Sequence, residues 1–365
     1  MKRQASKTIN IEPQPKVCKP CNSEDECPSY GSQNYWEDRY KNNYGNDVNH
    51  KKEEQEGEAG FSWYFTYEEL SPLILPLVLG RDEEEDEDWS SDEEEEVEEE
   101  IEEIEEEEIE EDENIAQDAE DIEDDVEGED DTTQLLPTLK KMDGKAPAKV
   151  LEIGCGDVPL GNGLCEQLLT MEQNSNIKLK DVVESIICFD YSKACIDILQ
   201  KIQSQQTQKK DSLQVDYKVH DARKLPYESR TFQLVMDKGT LDAMLADKVE
   251  GRGNCVKIVS EAARTLAMDG YILIVSHLNA NNAEGYDWAN DILSTGLKSG
   301  DSDCNWQIEV HGNDVEEEND NEDDENETED DDESKNYGPA VYICKKVAKR
   351  NKDNECKVGM KFLGY

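Results

Sequence analysis

Between Asp82 and Asp131 the chain has no lysine or arginine, against 35 acidic residues. From Asp314 to Glu333 it again has no base, against 15 acids. Neither run offers enough apolar surface to offset the entropy of ordering, and like charges at helical spacing repel. Both are expected to be disordered, although Val97, Ile101 and Ile104 fall on one helical face and leave a transient helix open. Outside the two runs 40 acids face 38 bases, so the formal net charge of −52 belongs to the insertions and the folding part is electrostatically ordinary. Attraction of a basic partner would explain such runs; so would plain solubilisation.

Long apolar segments are also missing. Met1 to Lys16 has no greasy core of the kind that targets a chain for secretion. The longest apolar run, Leu70 to Leu79, carries Pro72 and Pro76 and is too short to span a bilayer. No membrane association is expected, and the cytoplasm is the expected compartment, with the nucleus as the second. Eleven cysteines, an odd number scattered through apolar segments, fit a reducing environment and not a disulfide framework. Cys18, Cys21 and Cys27 lack a fourth ligand nearby, so no metal is expected. The C-terminal Lys345, Lys346, Lys349, Arg350 and Lys352 read equally as a nuclear-import patch and as a polar tail; no other basic stripe suggests nucleic acid. A monomer is expected.

What is present divides the chain. Residues 1–33 read as a polar tail and 34–80 as an aromatic segment with Tyr35, Trp36, Tyr40, Trp63 and Tyr64. Thr66 with Glu69 makes a capping box ahead of a short helix through Leu70, Leu73 and Leu77. Residues 81–133 form the first acidic insertion, 145–348 a core with a second insertion at 312–335, and 349–365 a polar basic tail. In the core, apolar runs at Val150–Ile153, Ile186–Phe189, Val215–Val219, Phe232–Met236 and Tyr271–Val275 read as strands. Leu160–Met171, Ser192–Ile202 and Val256–Leu266 read as helices between them. This alternation predicts a doubly wound α/β fold with a mostly parallel sheet. Trp306–Val310 and Ala340–Cys344 would close it as a hairpin, one of whose strands is an antiparallel edge.

In such a sheet a ligand sits beyond the carboxyl ends of the strands, where strand order reverses. Gly154 and Gly156 would let the first turn approach a ligand without a Cβ in the way. Asp190 could accept from two ribose hydroxyls, Asp221 from an adenine amino group, and the Ala222 amide could donate to a ring nitrogen. Helix capping is the competing reading of each aspartate. A dinucleotide site would want a third glycine where this chain has Pro159. Asp237 and Asp242, at the end of the fourth strand and just beyond it, are expected on the rim that faces a second substrate; a helix cap explains Asp242 equally well.

Val150-Leu-Glu-Ile-Gly-Cys-Gly156, Phe189-Asp-Tyr-Ser192, Asp221-Ala-Arg-Lys-Leu-Pro226 and Asp237-Lys-Gly-Thr-Leu-Asp-Ala-Met-Leu245 resemble the seven-stranded S-adenosylmethionine-dependent methyltransferases. Within them the chain is most similar to the group that methylates lysine in translation elongation factor 1-alpha. Tyr35-Trp-Glu-Asp-Arg-Tyr40 and Trp63-Tyr64 resemble that group's N-terminal lid. The resemblance implies a Rossmann-like seven-stranded sheet, S-adenosyl-L-methionine as cofactor, and a basic protein substrate. By position it implies cofactor contacts from Trp36, Tyr40, Trp63, Gly154, Asp190, Tyr191, Asp221, Ala222 and Lys238. A small-molecule methyltransferase and a non-catalytic acidic scaffold are the other readings. The chain departs from the group at Gly156-Asp157-Val158-Pro159, where Gly-Asn and a serine are usual.

Overall fold

The protein is described from a computed structural model, which places residues 29–44, 64–80, 146–175, 177–206, 212–312, 338–349 and 355–363. The two acidic runs, Trp63, and the cysteines at 18, 21 and 27 lie outside the described residues.

Helix α1 spans Gln33–Tyr44 and α2 spans Tyr67–Leu79. The capping box forms as expected, with Thr66 Oγ1 accepting from the Glu69 amide and Glu69 Oε2 accepting from the Thr66 amide. The prolines do not break α2. Pro72 cannot donate to the Glu68 carbonyl four residues back, and Ser71 Oγ donates to that carbonyl instead, at 3.0 Å. The helix buries Leu70, Ile74, Leu75, Leu77 and Val78 against the sheet domain. Among the described residues no helix is long and apolar enough to cross a membrane.

The sheet is built from β1 (Ala148–Ile153), β2 (Val183–Asp190), β3 (Val215–Val219), β4 (Phe232–Lys238), β5 (Leu266–Ser276), β6 (Cys304–Gly312), β7 (Ala340–Ala348) and β8 (Val358–Leu363). Helices α3 (Leu160–Gln173), α4 (Lys193–Gln205), α5 (Thr240–Leu245), α6 (Gly251–Thr265), α7 (Ala283–Trp288) and α8 (Thr295–Gly300) connect them. Strand order is β3-β2-β1-β4-β5-β7-β6-β8. The first five strands of that order pair in parallel. The chain winds outward from β1 to β3, then returns to β4 on the other side of β1. Strand order therefore reverses between β1 and β4, and the crevice belongs there.

This is the doubly wound, Rossmann-like sheet that the sequence predicts, with eight strands where seven are expected. The antiparallel strand is β7, which pairs antiparallel with both β5 and β6. It is not the edge. Beyond β6 lies β8, parallel to it, in the segment read from sequence as a polar tail. Val358-Gly-Met-Lys-Phe-Leu363 escapes notice because it is short, contains a glycine and stays half-exposed along its length. The C-terminal lysine cluster is also divided. Lys346 is fully buried, donating to the carbonyls of Ala263 and Leu266 and pairing with Asp301 at 2.7 Å. It caps the end of α6, where exposed carbonyls favour a cation.

Alternation along the strands sorts side chains between two cores. On β1, Val150 joins the core under α2, α3 and α4, while Leu151 and Ile153 join the one under α6. On β4, Leu234 and Met236 go to the first and Val235 to the second. Where the strands end, this parity decides which side chains reach the crevice.

Candidate cofactor and acceptor site

One cavity opens at the switch point, and the turns after β1, β2, β3 and β4 all line it. Gly154 has φ 56° and Gly156 φ 59°, both in the left-handed region that favours glycine. A Cβ on Gly154 would stand 2.1 Å from Thr240 Oγ1. Thr240 Oγ1 in turn donates to the Ile153 carbonyl at 3.1 Å. The glycine turn and the Asp237-Lys-Gly-Thr240 turn are thus interlocked, which neither motif shows alone.

Asp190 ends β2 at the cavity wall with only 5% of its surface exposed. Its Oδ1 accepts from the Ser192 amide at 2.8 Å and its Oδ2 from the Gly156 amide at 3.3 Å. Burial pushes its carboxyl up to about 6, against the pull of those two amides. Each oxygen retains a lone pair for a further donor. Tyr191 follows it at the wall, with its hydroxyl buried and without a hydrogen-bond partner. Asp221 and Ala222 line the same cavity from beyond β3. Asp221 is half-exposed and gripped by its own neighbour, since Arg223 donates to it through Nε at 2.9 Å and Nη2 at 2.8 Å. Those bonds hold the Asp221 carboxyl below its ordinary value, against partial burial.

Helix α1 brings Trp36 and Tyr40, stacked with ring centroids 5.9 Å apart, to the cavity. The helix is pinned by Glu37, which accepts from Ser192 Oγ at 2.6 Å and from the Ala194 amide at 3.1 Å, capping the start of α4. Gln33 Nε2 adds a bond to the Tyr191 carbonyl. Lys238 reaches the cavity from the end of β4; burial lowers its ammonium, while Glu152, Asp157 and Asp237 oppose that.

The two remaining aspartates separate. Strand β4 runs on through Asp237 and Lys238, pairing with Ile274 and Val275, past the expected end at Met236. Strand parity then turns Asp237 to the Val235 side. It faces Ile153, Leu241, Ile258 and Ile274 in the core and is absent from the cavity lining. The expectation of a rim position is therefore corrected. Asp237 Oδ1 has no hydrogen-bond partner, and burial pushes the carboxyl up to about 7. Asp242, in the first turn of α5, is buried too. It accepts from Tyr64 Oη at 2.6 Å, Ser276 Oγ at 2.6 Å and the His277 amide at 3.2 Å.

Residues 145–325 match the family model described as a methyltransferase domain. That stretch therefore reads as a methyltransferase domain. Among curated proteins, the chain is similar to the eEF1A lysine and N-terminal methyltransferase of Mus musculus, 30% identical over 140 residues. The Homo sapiens protein of the same name is 28% identical over 138 residues. Each match covers 38% of this chain, and the chain spans only 17% of the length of these relatives. Among solved structures, a methyltransferase from Methanosarcina mazei is 13% identical, covering 56% of this chain and 95% of its own, with TM-score 0.35.

The methyltransferase cavity can be tested against its cofactor. Glu152, fully buried on β1, accepts from the amides of Leu160 and Gly161 at 2.8 Å each. A carboxyl group of the protein's own thus occupies the start of α3, where a dinucleotide site would hold pyrophosphate; burial pushes its pKa up, against the pull of those amides. This is a firmer distinction than the missing third glycine. Gly161, two residues on, performs the close helix–strand packing assigned to that glycine, since a Cβ there would stand 2.4 Å from Cys188 Sγ. A nucleoside without phosphates would find acceptors in Asp190 and Asp221 and a backbone donor at Ala222 in the lining of this cavity. The faces of Trp36 and Tyr40 suit a sulfonium.

Sequence reading missed Glu152 and Glu37, which cap helices, and His220, Arg223 and Thr240, which line the cavity. Glu152 and Thr240 stand inside the Val150–Gly156 and Asp237–Leu245 motifs, yet their partners are 8 and 87 residues away. Among the described residues no cluster of His, Cys, Asp or Glu is arranged to hold a metal.

Proposed function

We propose that the whole chain is a protein-lysine N-methyltransferase that uses S-adenosylmethionine and acts on a basic protein such as translation elongation factor 1-alpha. The observation that carries the reading is the cavity at the switch point of a methyltransferase domain, lined by Asp190 and Asp221 from the strand ends and by Trp36 and Tyr40 from α1. The names of the curated relatives and the Asp237-Lys-Gly-Thr-Leu-Asp242 motif support the choice of acceptor. When bound, the cofactor supplies an electrophilic methyl group on a sulfonium. Asp190 would hold its ribose, Tyr191 would cover the base, and the glycine turn would leave room for the backbone to approach.

A lysine acceptor must first lose a proton, which at pH 7 costs on the order of 4–5 kcal/mol from a pKa near 10.4. Transfer is otherwise a matter of holding two groups in line, so positioning is the protein's main contribution. The eight described cysteines are all free thiols, in keeping with the cytoplasm as the site of action. The acidic runs, in this reading, draw a basic substrate by long-range attraction.

The test is incubation of the full chain with labelled S-adenosylmethionine and purified elongation factor 1-alpha, followed by peptide mass spectrometry. The reading expects methyl groups on lysine. Label confined to small molecules in a cell extract would replace it with the small-molecule reading, and an absence of cofactor binding at millimolar concentration would leave the scaffold.

A further inference from the structure

We infer that His277 removes the proton from the acceptor ammonium, with Asp242 fixing its tautomer and Tyr64 bracing the pair. The inference rests on the methyltransferase reading with an amine acceptor.

Four facts of geometry carry it. First, the cluster has the right address. Lys238 pairs with Val275, and the Gly239 amide donates to the Val275 carbonyl at 3.1 Å, so the ends of β4 and β5 lie side by side. Gly239, Thr240, Ala243 and Met244 line the cavity on one side of this junction. His277 is two residues past Val275 on the other, at the carboxyl edge where a second substrate arrives.

Second, the ring is oriented. His277 Nδ1 stands 3.3 Å from Asp242 Oδ1 and 3.3 Å from Tyr64 Oη. A carboxylate on Nδ1 holds the proton there and leaves Nε2 with its lone pair. The side chain is half-exposed while Asp242 beneath it is 1% exposed, so the free nitrogen is the one that an incoming amine can reach.

Third, the orienting carboxylate is itself fixed. Tyr64, Ser276 and the His277 amide all donate to Asp242. The neighbouring backbone is pinned by Leu278, whose amide donates to Ser276 Oγ and whose carbonyl accepts from Tyr342 Oη at 2.6 Å. A base held by an oriented partner is the arrangement proton abstraction requires.

Fourth, Tyr64 holds φ 64°, an uncommon backbone for an aromatic residue, in the placement that sends its hydroxyl to Asp242. It lies in the segment leading into α2, so the N-terminal region contributes to the acceptor side as well as to the cofactor side.

The step balances within the protein. The ammonium N–H bond breaks and its electron pair stays on the acceptor nitrogen, which becomes nucleophilic. The proton forms a new N–H bond at His277 Nε2, and the imidazolium, facing Asp242, returns it to water. Hydrogen bonding to Asp242 raises the imidazole's pKa, against burial, and Glu284 on α7 adds to the rise. Tyr64, the other titratable group against the ring, is itself pushed up by burial first and by Asp242 next, so it stays neutral. Raising the imidazole narrows the gap to an amine near 10.4.

Two experiments test this. The chain has four histidines, so ring carbon–proton NMR can follow each through a pH titration, with His277→Gln giving the assignment. His277 should titrate above the ordinary histidine value and fall back in Asp242→Asn; Tyr64→Phe, which keeps the packing, should lower it less. A His277 that titrates at or below the ordinary value, indifferent to Asp242→Asn, overturns the inference. The second is methylation of purified elongation factor 1-alpha by His277→Gln. The variant should keep its cofactor Kd, lose kcat by about 100-fold at pH 7, and regain rate by pH 9.5 as the amine deprotonates unaided. A kcat within twofold of wild type at pH 7 contradicts it, as does a loss that stays constant with pH. If the wild-type chain leaves elongation factor 1-alpha unmodified, the acceptor assignment fails, and the NMR titration still decides the histidine.

Discussion

On the outward side of the switch point, Asp190 ends β2 and keeps its carboxylate at the cavity, met by two amides and with lone pairs to spare. On the other side, Asp237 closes β4 in the same manner on paper, yet its carboxylate turns into the apolar core with one oxygen unpartnered. The difference is one of parity. Asp190 follows Ile186 and Cys188 onto the face of β2 under α3 and α4, whereas Asp237 follows Val235 onto the face of β4 under α6.

The largest expected effect breaks that contrast from the Asp237 side. Its folded-state carboxyl is raised to about 7, above the ordinary 3.8, so the folded chain holds the proton more tightly than the unfolded one. Stability should then fall as pH rises from 3.8 to about 7, with the cost fully present above 7 and absent below 3.8. The span corresponds to at most about 4 kcal/mol. Asp237→Asn should remove this pH dependence and unfold at higher denaturant than wild type at pH 8, as urea titrations would show. A variant less stable than wild type at that pH would mean the charge is satisfied.

Asp190→Ala sharpens the other side. Removing an acceptor that serves charge-assisted hydrogen bonds should weaken S-adenosylmethionine binding by about 1.5–3 kcal/mol, measured calorimetrically. Unchanged affinity would remove the ribose assignment. Smaller still is Asp221→Asn. Its carboxylate is half-exposed and already engaged by Arg223, so affinity should change by about 1 kcal/mol or less. A larger loss at Asp221 than at Asp190 would reverse the roles given to the two.

Much of this was legible beforehand, for local reasons. Strands β1 to β5, the capping box at Thr66 and Glu69, and the approach of Gly154, Asp190 and Asp221 to a shared cavity follow from periodicity and from the rule that ligands sit at strand ends. What escaped depends on contacts distant in sequence. Nothing near His277 marks it, because its partners Asp242 and Tyr64 are 35 and 213 residues away. Lys346 reads as part of a basic cluster until the end of α6 supplies carbonyls for it. Strand β8 carries no alternation strong enough to separate it from a tail. Asp237 and Asp242 stand in one motif, yet the first shares the apolar core with Ile153, Leu241 and Ile274 while the second accepts from Tyr64, Ser276 and His277.

The central claim is that Asp190, as a carboxylate, grips the sugar of S-adenosylmethionine. Calorimetric titration of the cofactor between pH 5 and pH 8 tests it most directly. With the free carboxyl raised to about 6, only about a tenth is ionised at pH 5, so affinity should tighten about tenfold from pH 5 to pH 7 and then level off. Asp190→Asn should bind weakly with a flat profile over the same range. A flat profile in the wild type, or no heat of binding at millimolar cofactor, would contradict the account.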